Sequence, residues 1–182
     1  IYPLLYYVVQ YRRSMVLSNL RYCYPEKSEA ACKQMAKQFY HWFADLCVEI
    51  IHAYRMSDEE LRERVVFEGL DEVQTAFIKQ QGGVFMLGHI GCWEWIADAA
   101  KRMDRSRIHT NVIYLKLDNP SADRIMMQIR QQRGCTPIEM HKLLREAVRL
   151  RKESSKAEVY SMLADQKPSW RSLQFYTDFF GH

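Results

Sequence analysis

The residues best suited to chemistry lie in one run, Gly88-His89-Ile90-Gly91-Cys92-Trp93-Glu94-Trp95. It places an imidazole and a carboxylate five positions apart. Five residues of regular helix turn through about 140°, so His89 and Glu94 would not share a helical face. They can meet if His89 lies in a strand-to-helix turn and Glu94 in the first turns of the helix that follows. Gly88 and Gly91 give such a turn its backbone freedom. A carboxylate on the ring would fix the tautomer and support the imidazolium formed when the ring takes a proton. No Ser or Cys sits in a recognisable nucleophile elbow. The chemistry would then be general-base activation of a substrate hydroxyl, with no covalent acyl-enzyme. Spacing alone favours a structural histidine near a helix start, so the pair needs supporting company.

Other chemistries find less support. The cysteines Cys23, Cys32, Cys47, Cys92 and Cys135 are odd in number, scattered, and form no CxxC. Free, mostly buried thiols are expected, with neither a disulfide framework nor a thiolate zinc site. His89 with Cys92 and Glu94 lacks the second ligand pair of a metal site, and His41, His52, His109 and His141 show no ligand spacing. No metal is expected. There is no phosphate loop or GxGxxG run, so no cofactor is expected either. The net charge of +4 suits an anionic partner but separates lipid, carrier protein and nucleic acid poorly. Nucleic acid rests on that charge alone and is not expected.

The elements that must position His89 follow from periodicity. Residues 1–22 read as one helix, opening on an apolar, aromatic run that meets Arg12 and Arg13 as if at an interface. Residues 29–55 read as a long helix with Phe39, Trp42, Phe43, Leu46 and Ile50 on a core-facing stripe. Ser57 and Glu60 have capping-box spacing. Gly69 and Gly82-Gly83 bracket a helix over 70–81. Val84-Phe85-Met86-Leu87 is a short apolar run between glycines and reads as a buried strand. Trp93–Met103 reads as helix and Ile108–Leu117 as strand. Asn119-Pro120-Ser121 signals a helix running to Arg133. Thr136-Pro137-Ile138 reads as a short strand, 140–155 as a basic amphipathic helix, and 159–163 as a strand ending at Asp165-Gln166.

The fold class is therefore α/β: an N-terminal helical layer, then a mixed, mainly parallel sheet flanked by helices. The whole chain, 1–182, reads as one domain. His89 and Asp165 both follow strands, which places them at the same sheet edge, where ligands gather in such folds. The basic set Lys142, Arg145, Arg149, Arg151, Lys152 and Lys156 reads as a solvated helix face or as a surface for anionic lipid or an acidic carrier protein. No stretch of 18 apolar residues spans a bilayer.

An ordered set of motifs supplies the company His89 needs. Gly-His-x-Gly-x-Trp-Glu resembles the His-x4-Glu motif of the lipid A late acyltransferases, in the lysophospholipid acyltransferase superfamily. Asn19-Leu20 with Tyr24-Pro25, Asn119-Pro120 with Arg130-x-x-Arg133-Gly134, Ala164-Asp165-Gln166, and Phe179-Phe180-Gly181 are similar to further family segments, in family order. The resemblance implies a glycerolipid acyltransferase-like fold. It implies His89 as general base and Glu94 as its orienting partner, acting on a lipid hydroxyl that attacks an acyl thioester. Acyl carrier protein would be the usual donor and a lipid A precursor the acceptor. Other acceptors of the same mechanism are an aminolipid, a phosphatidylinositol mannoside or a lysophospholipid. A catalytically silent lipid- or carrier-binding module is the alternative of another class. Arg130 and Arg133 would hold phosphate or neutralise the oxyanion. Asp165 and Gln166 would line the same edge, with Asp165 supporting one of those arginines. The implied location is the cytoplasmic face of a bacterial inner membrane, peripheral or anchored by a missing N-terminal helix. Family members begin with such an anchor and continue past Phe-Phe-Gly, so the chain is expected to be a fragment.

Overall fold

A computed structural model describes residues 1–166 of the chain. They fall into two compact units, Ile1–Glu49 and Ile50–Gln166. The Phe179-Phe180-Gly181 motif lies outside the described residues.

The first unit is helical. The single helix expected over 1–22 is instead a π-helical turn at Leu4–Val8, then α1 (Arg13–Cys23). Gln10 and Arg12 break it, with φ of +50° and +51°. This left-handed region is unfavourable for residues carrying a Cβ. Helix α2 begins at Glu29 and runs to Ala53, as the periodicity predicts. Leu46 of the expected stripe is buried and Phe43 and Ile50 are half-buried, but the rest of the stripe differs. Cys32, Ala36 and Tyr40 are buried, whereas Phe39 and Trp42 are exposed. Small side chains on α2 let the Leu4–Val8 turn and α1 approach, and Tyr6, Leu17, Ala36 and Tyr40 form the core there. The Tyr40 hydroxyl donates to the Tyr11 carbonyl, satisfying a polar group in that core.

The second unit is α/β. Helix α3 (Asp58–Arg64) is capped as its sequence demands, the Glu60 amide donating to Ser57 Oγ at 3.1 Å. Helix α4 (Leu70–Gln80) leads into β1 (Gly82–Leu87). A 3-10 turn at Trp93–Asp98 continues into the short α5 (Ala99–Arg102). Then follow β2 (Ile108–Tyr114), α6 (Pro120–Gln132), β3 (Thr136–Glu139), α7 (Leu143–Glu153) and β4 (Ala157–Leu163).

The strands form one sheet in the order β1-β4-β2-β3, and all three pairings are parallel. Pro137 cannot donate to a ladder, and it sits in β3, at the edge of the sheet. One sheet face is covered by α4, where Phe77 packs edge-on against Phe85 at 4.9 Å. Met103, Ile108, Ala157 and Val159 complete that core. Because β1 and β4 are neighbours in register, Leu87 opposite Leu163, their carboxyl ends deliver the next residues side by side. No helix among the described residues is long and apolar enough to cross a membrane.

Candidate active site

His89 stands two residues beyond Leu87 and Asp165 two beyond Leu163, so the strand register alone brings them together. The Ala164 amide donates to the Leu87 carbonyl at 2.9 Å and continues the pairing past the strand ends. Asp165 then holds His89 twice. Its Oδ2 accepts from the His89 amide at 2.7 Å, and its Oδ1 lies 2.6 Å from ring Nδ1. Those two contacts, the amide first and the imidazole second, keep the Asp165 carboxyl below the usual aspartate range. An ionised carboxylate only accepts, so Nδ1 carries the proton and Nε2 is left with its lone pair. Trp93 closes one side, its ring edge-on to the imidazole at 4.7 Å.

The turn is built from its glycines. Gly91 has φ of +60°, where a side chain would be strained. At Gly88 a Cβ would lie 3.3 Å from Asp165 Oδ2, tight enough to displace the carboxylate.

Glu94 does not hold the ring, which corrects the partnership expected from sequence. It is 5% exposed and grips Arg130 through both oxygens, at 3.0 Å to Nε and 2.7 Å to Nη2. No hydrogen bond joins Glu94 to His89 among the described residues. The expected partners are in effect exchanged: Asp165 takes the imidazole and Glu94 takes the arginine. The reason is topological. Glu94 lies in the first turn of the 3-10 segment that packs against α6, and Arg130 stands in the last turn of α6, where a cation also suits the helix dipole. Asn119 fixes that helix, accepting from the Ser121 and Ala122 amides at 2.9 and 3.0 Å. The Arg130 guanidinium lies 5.7 Å from the Tyr114 ring centre.

Residues 4–182 match the family described as bacterial lipid A biosynthesis acyltransferase. The chain belongs to that family. Comparison with individually curated proteins gave no match. Family membership makes the chain an acyltransferase of lipid A biosynthesis, with an acyl donor and a lipid acceptor, and the remaining features of the edge take meaning from it.

A cavity of about 50 Å³ in this acyltransferase is lined by Leu87, Trp93, Glu94, Val112, Arg130 and Leu163. A second, of about 150 Å³ and mainly apolar, runs between the sheet and the Trp93–Arg102 segment, and includes Phe67, Phe85, Ala100 and Met103. The two share Leu87, Ile96, Ala97, Val112 and Ser161. An apolar space of the larger size admits a six-carbon ring.

Arg133 is placed elsewhere. It is 3% exposed, pairs with Asp58 Oδ1 at 2.9 Å, and donates to the carbonyls of Ala53 and Met56. Its buried guanidinium joins α6 to the start of α3. Gln166 is exposed beside Asp165. Of the basic set, Lys142, Arg145 and Arg149 pair with neighbouring glutamates. Sequence reading missed a second polar chain at the amino ends of the strands. There His109 joins buried Glu158 at 3.0 Å and Thr136 at 2.8 Å, and Asn111 donates to Glu158 at 2.8 Å. The parallel register His109 opposite Glu158 creates it, and no short-range spacing reveals such a pairing. Among the described residues no three His, Cys, Asp or Glu side chains are placed to hold a metal.

Proposed function

We propose that this acyltransferase moves a fatty acyl chain from an acyl thioester, carried by acyl carrier protein, to a hydroxyl of a lipid A precursor, with His89 as general base. The work is done at the cytoplasmic face of the inner membrane. The observation that carries the reading is the 2.6 Å link between His89 Nδ1 and Asp165. It leaves Nε2 as an acceptor on a ring that is still 25% exposed.

Nε2 takes the proton of the acceptor hydroxyl as its oxygen attacks the thioester carbonyl. The resulting imidazolium is stabilised by the Asp165 carboxylate. Collapse of the tetrahedral oxyanion re-forms the carbonyl, breaks the carbon–sulfur bond, and releases a thiolate that recovers the proton from His89. Arg130 supplies positive charge toward that oxyanion or toward a phosphate of the acceptor. Its pairing with Glu94 fixes the guanidinium in place and offsets the cost of burying it. Thus Glu94 serves the chemistry by placing Arg130. The apolar cavity takes the distal carbons of the acyl chain.

Acyl transfer measured with acyl carrier protein thioester and a lipid A precursor tests this reading. Conversion by the unmodified protein that disappears in His89→Ala, with folding intact, supports it. Unchanged conversion in that variant rules out the role of His89. Failure of the unmodified protein to transfer points to another acceptor lipid or to a silent binding module, which direct lipid-binding measurements separate.

A further inference from the structure

Helix α7 has two apolar sides, and only one of them is used by the fold. Leu143, Ala147 and Leu150 are half-buried where the helix packs on β3. The other side carries Leu144, Arg145, Val148, Arg151 and Lys152, at i, i+1, i+4, i+7 and i+8, which form one stripe along a helix. All five are exposed, Leu144 at 81% and Val148 at 59%. The acids of the helix stand apart from this stripe. Glu146 and Glu153 lie on the flank, where both pair with Arg149, at 2.8 and 2.7 Å. Glu139, ahead of the helix, pairs with Lys142 at 2.7 Å. Arg145 approaches Glu146 only to 3.4 Å and keeps 74% of its side-chain surface exposed. Arg151 and Lys152 have no ion pair among the described residues.

An apolar pair inside a fringe of cations has the make-up of an interface for an acidic protein surface, with an apolar centre and a charged rim. Lipid suits the stripe less well. Two aliphatic side chains without an aromatic anchor make too narrow a face for insertion, because the remaining apolar side of α7 is spent on the sheet. A second copy would set Arg145, Arg151 and Lys152 against themselves across a two-fold axis.

The stripe also stands at a useful place. The first turn of α7 follows β3 through Met140–Lys142, so it lies at the carboxyl edge of the sheet, as His89 does. Strand β3 is three places from β1, a separation of about 14 Å at about 4.8 Å per strand. A cleft of about 690 Å³ opens at the carboxyl ends of β2 and β3, lined by Leu115, Leu117 and Met127 together with Lys116, Asp118 and Glu139. Such a mixed lining accommodates the methyl and amide groups of a pantetheine arm crossing from α7 toward His89.

We infer that the outer stripe of α7 is the docking surface for the acyl carrier protein, Leu144 and Val148 forming its centre while Arg145, Arg151 and Lys152 bind carboxylates of the carrier. This deepens the proposed function and rests on its reading of the carrier thioester as donor.

The experiment compares two donors of the same acyl chain, the acyl carrier protein thioester and the acyl-pantetheine thioester, which has the reacting group without the protein. With the carrier, the Arg145→Gln, Arg151→Gln, Lys152→Gln variant should raise KM and lower kcat/KM by roughly tenfold or more, with kcat within about twofold. Leu144→Ser with Val148→Ser should do the same. Neither variant should change kcat/KM for acyl-pantetheine, which also shows that the site is intact, and circular dichroism checks the helix. Added salt should weaken use of the carrier but not of acyl-pantetheine. His89→Ala protein should bind the carrier as the unmodified protein does and lose that binding on the same substitutions, so docking is read apart from the base. Equal losses with both donors, or an undiminished kcat/KM with the carrier, overturn the inference. So do substitutions that abolish vesicle binding or split a dimer while use of the carrier is unchanged. Transfer from acyl-pantetheine without transfer from the carrier, in the unmodified protein, overturns the donor reading and this inference with it.

Discussion

His89 and Asp165 are joined by two contacts, backbone amide to Oδ2 at 2.7 Å and ring Nδ1 to Oδ1 at 2.6 Å, although 76 residues separate them. The link exists because β1 and β4 are parallel neighbours that end in register. It ties the base to a second strand end and selects the tautomer that leaves Nε2 to accept a proton.

Asp165→Asn should therefore lower kcat by about 10²–10⁴-fold, since an amide can favour the wrong tautomer, while KM changes little. Steady-state kinetics with a folded variant checks it. A KM effect alone would point to acceptor binding instead.

The same pair has a pH signature. The native Asp165 carboxyl is held below its ordinary range by His89. The link thus contributes to the folded state above the unfolded aspartate value of about 3.9, and the contribution is lost as pH falls through the lowered native value. Melting temperatures of the unmodified and Asp165→Asn proteins should differ at neutral pH and converge in strong acid, as pH falls through the lowered native value. A gap that persists undiminished in strong acid contradicts the assignment.

Arg130 and Arg133, three residues apart in the sequence, should separate cleanly. Arg133→Ala leaves the Ala53 and Met56 carbonyls without their donor, while Asp58 keeps Lys101 at 2.7 Å, and should cost about 1–3 kcal/mol of stability with activity per folded molecule retained. Glu94→Gln should cost about 3 kcal/mol by stranding Arg130. The double change Glu94→Leu with Arg130→Met should regain most of that stability and remain inactive. Denaturant unfolding beside a transfer assay distinguishes the two arginines.

Ala100 is 3% exposed and lines the apolar cavity. Ala100→Phe fills space that the acyl chain is proposed to occupy. Competition between donors of different chain length should shift toward the shorter donor. An unchanged preference would place the chain elsewhere.

Burial pushes the Cys135 thiol up to about 12, and its Sγ faces the Ala97 carbonyl. The thiolate, the reactive form, is scarce at ordinary pH. Iodoacetamide should label exposed Cys23 in the native protein and spare Cys135 even at mildly alkaline pH. Peptide mass mapping reads both sites.

Much of this fold is legible in local sequence. Gly82-Gly83 before an apolar run, the Ser57 cap and the Asn119-Pro120 start each specify one element by short-range chemistry, and each element forms where expected. Two misreadings had a physical cause. The 1–22 segment looked helical by composition, but two non-glycine residues in left-handed conformation break it. Large apolar residues mark the stripe on α2 correctly at Leu46 but not at Phe39 and Trp42, because close packing there uses Cys32 and Ala36. At the site, the approach of His89 and Asp165 to one edge was legible. Which carboxylate would take the imidazole was not, because that depends on strand order, and β4 lying beside β1 leaves no mark in local spacing.

The account rests on His89 acting as the base. The most direct measurement is acyl transfer to a lipid A precursor by His89→Gln protein, followed by mass spectrometry of the lipid at matched folded concentration. The account predicts a loss of about 10²–10⁴-fold per folded molecule. Transfer within about twofold of the unmodified protein, well short of that catalytic contribution, would contradict it.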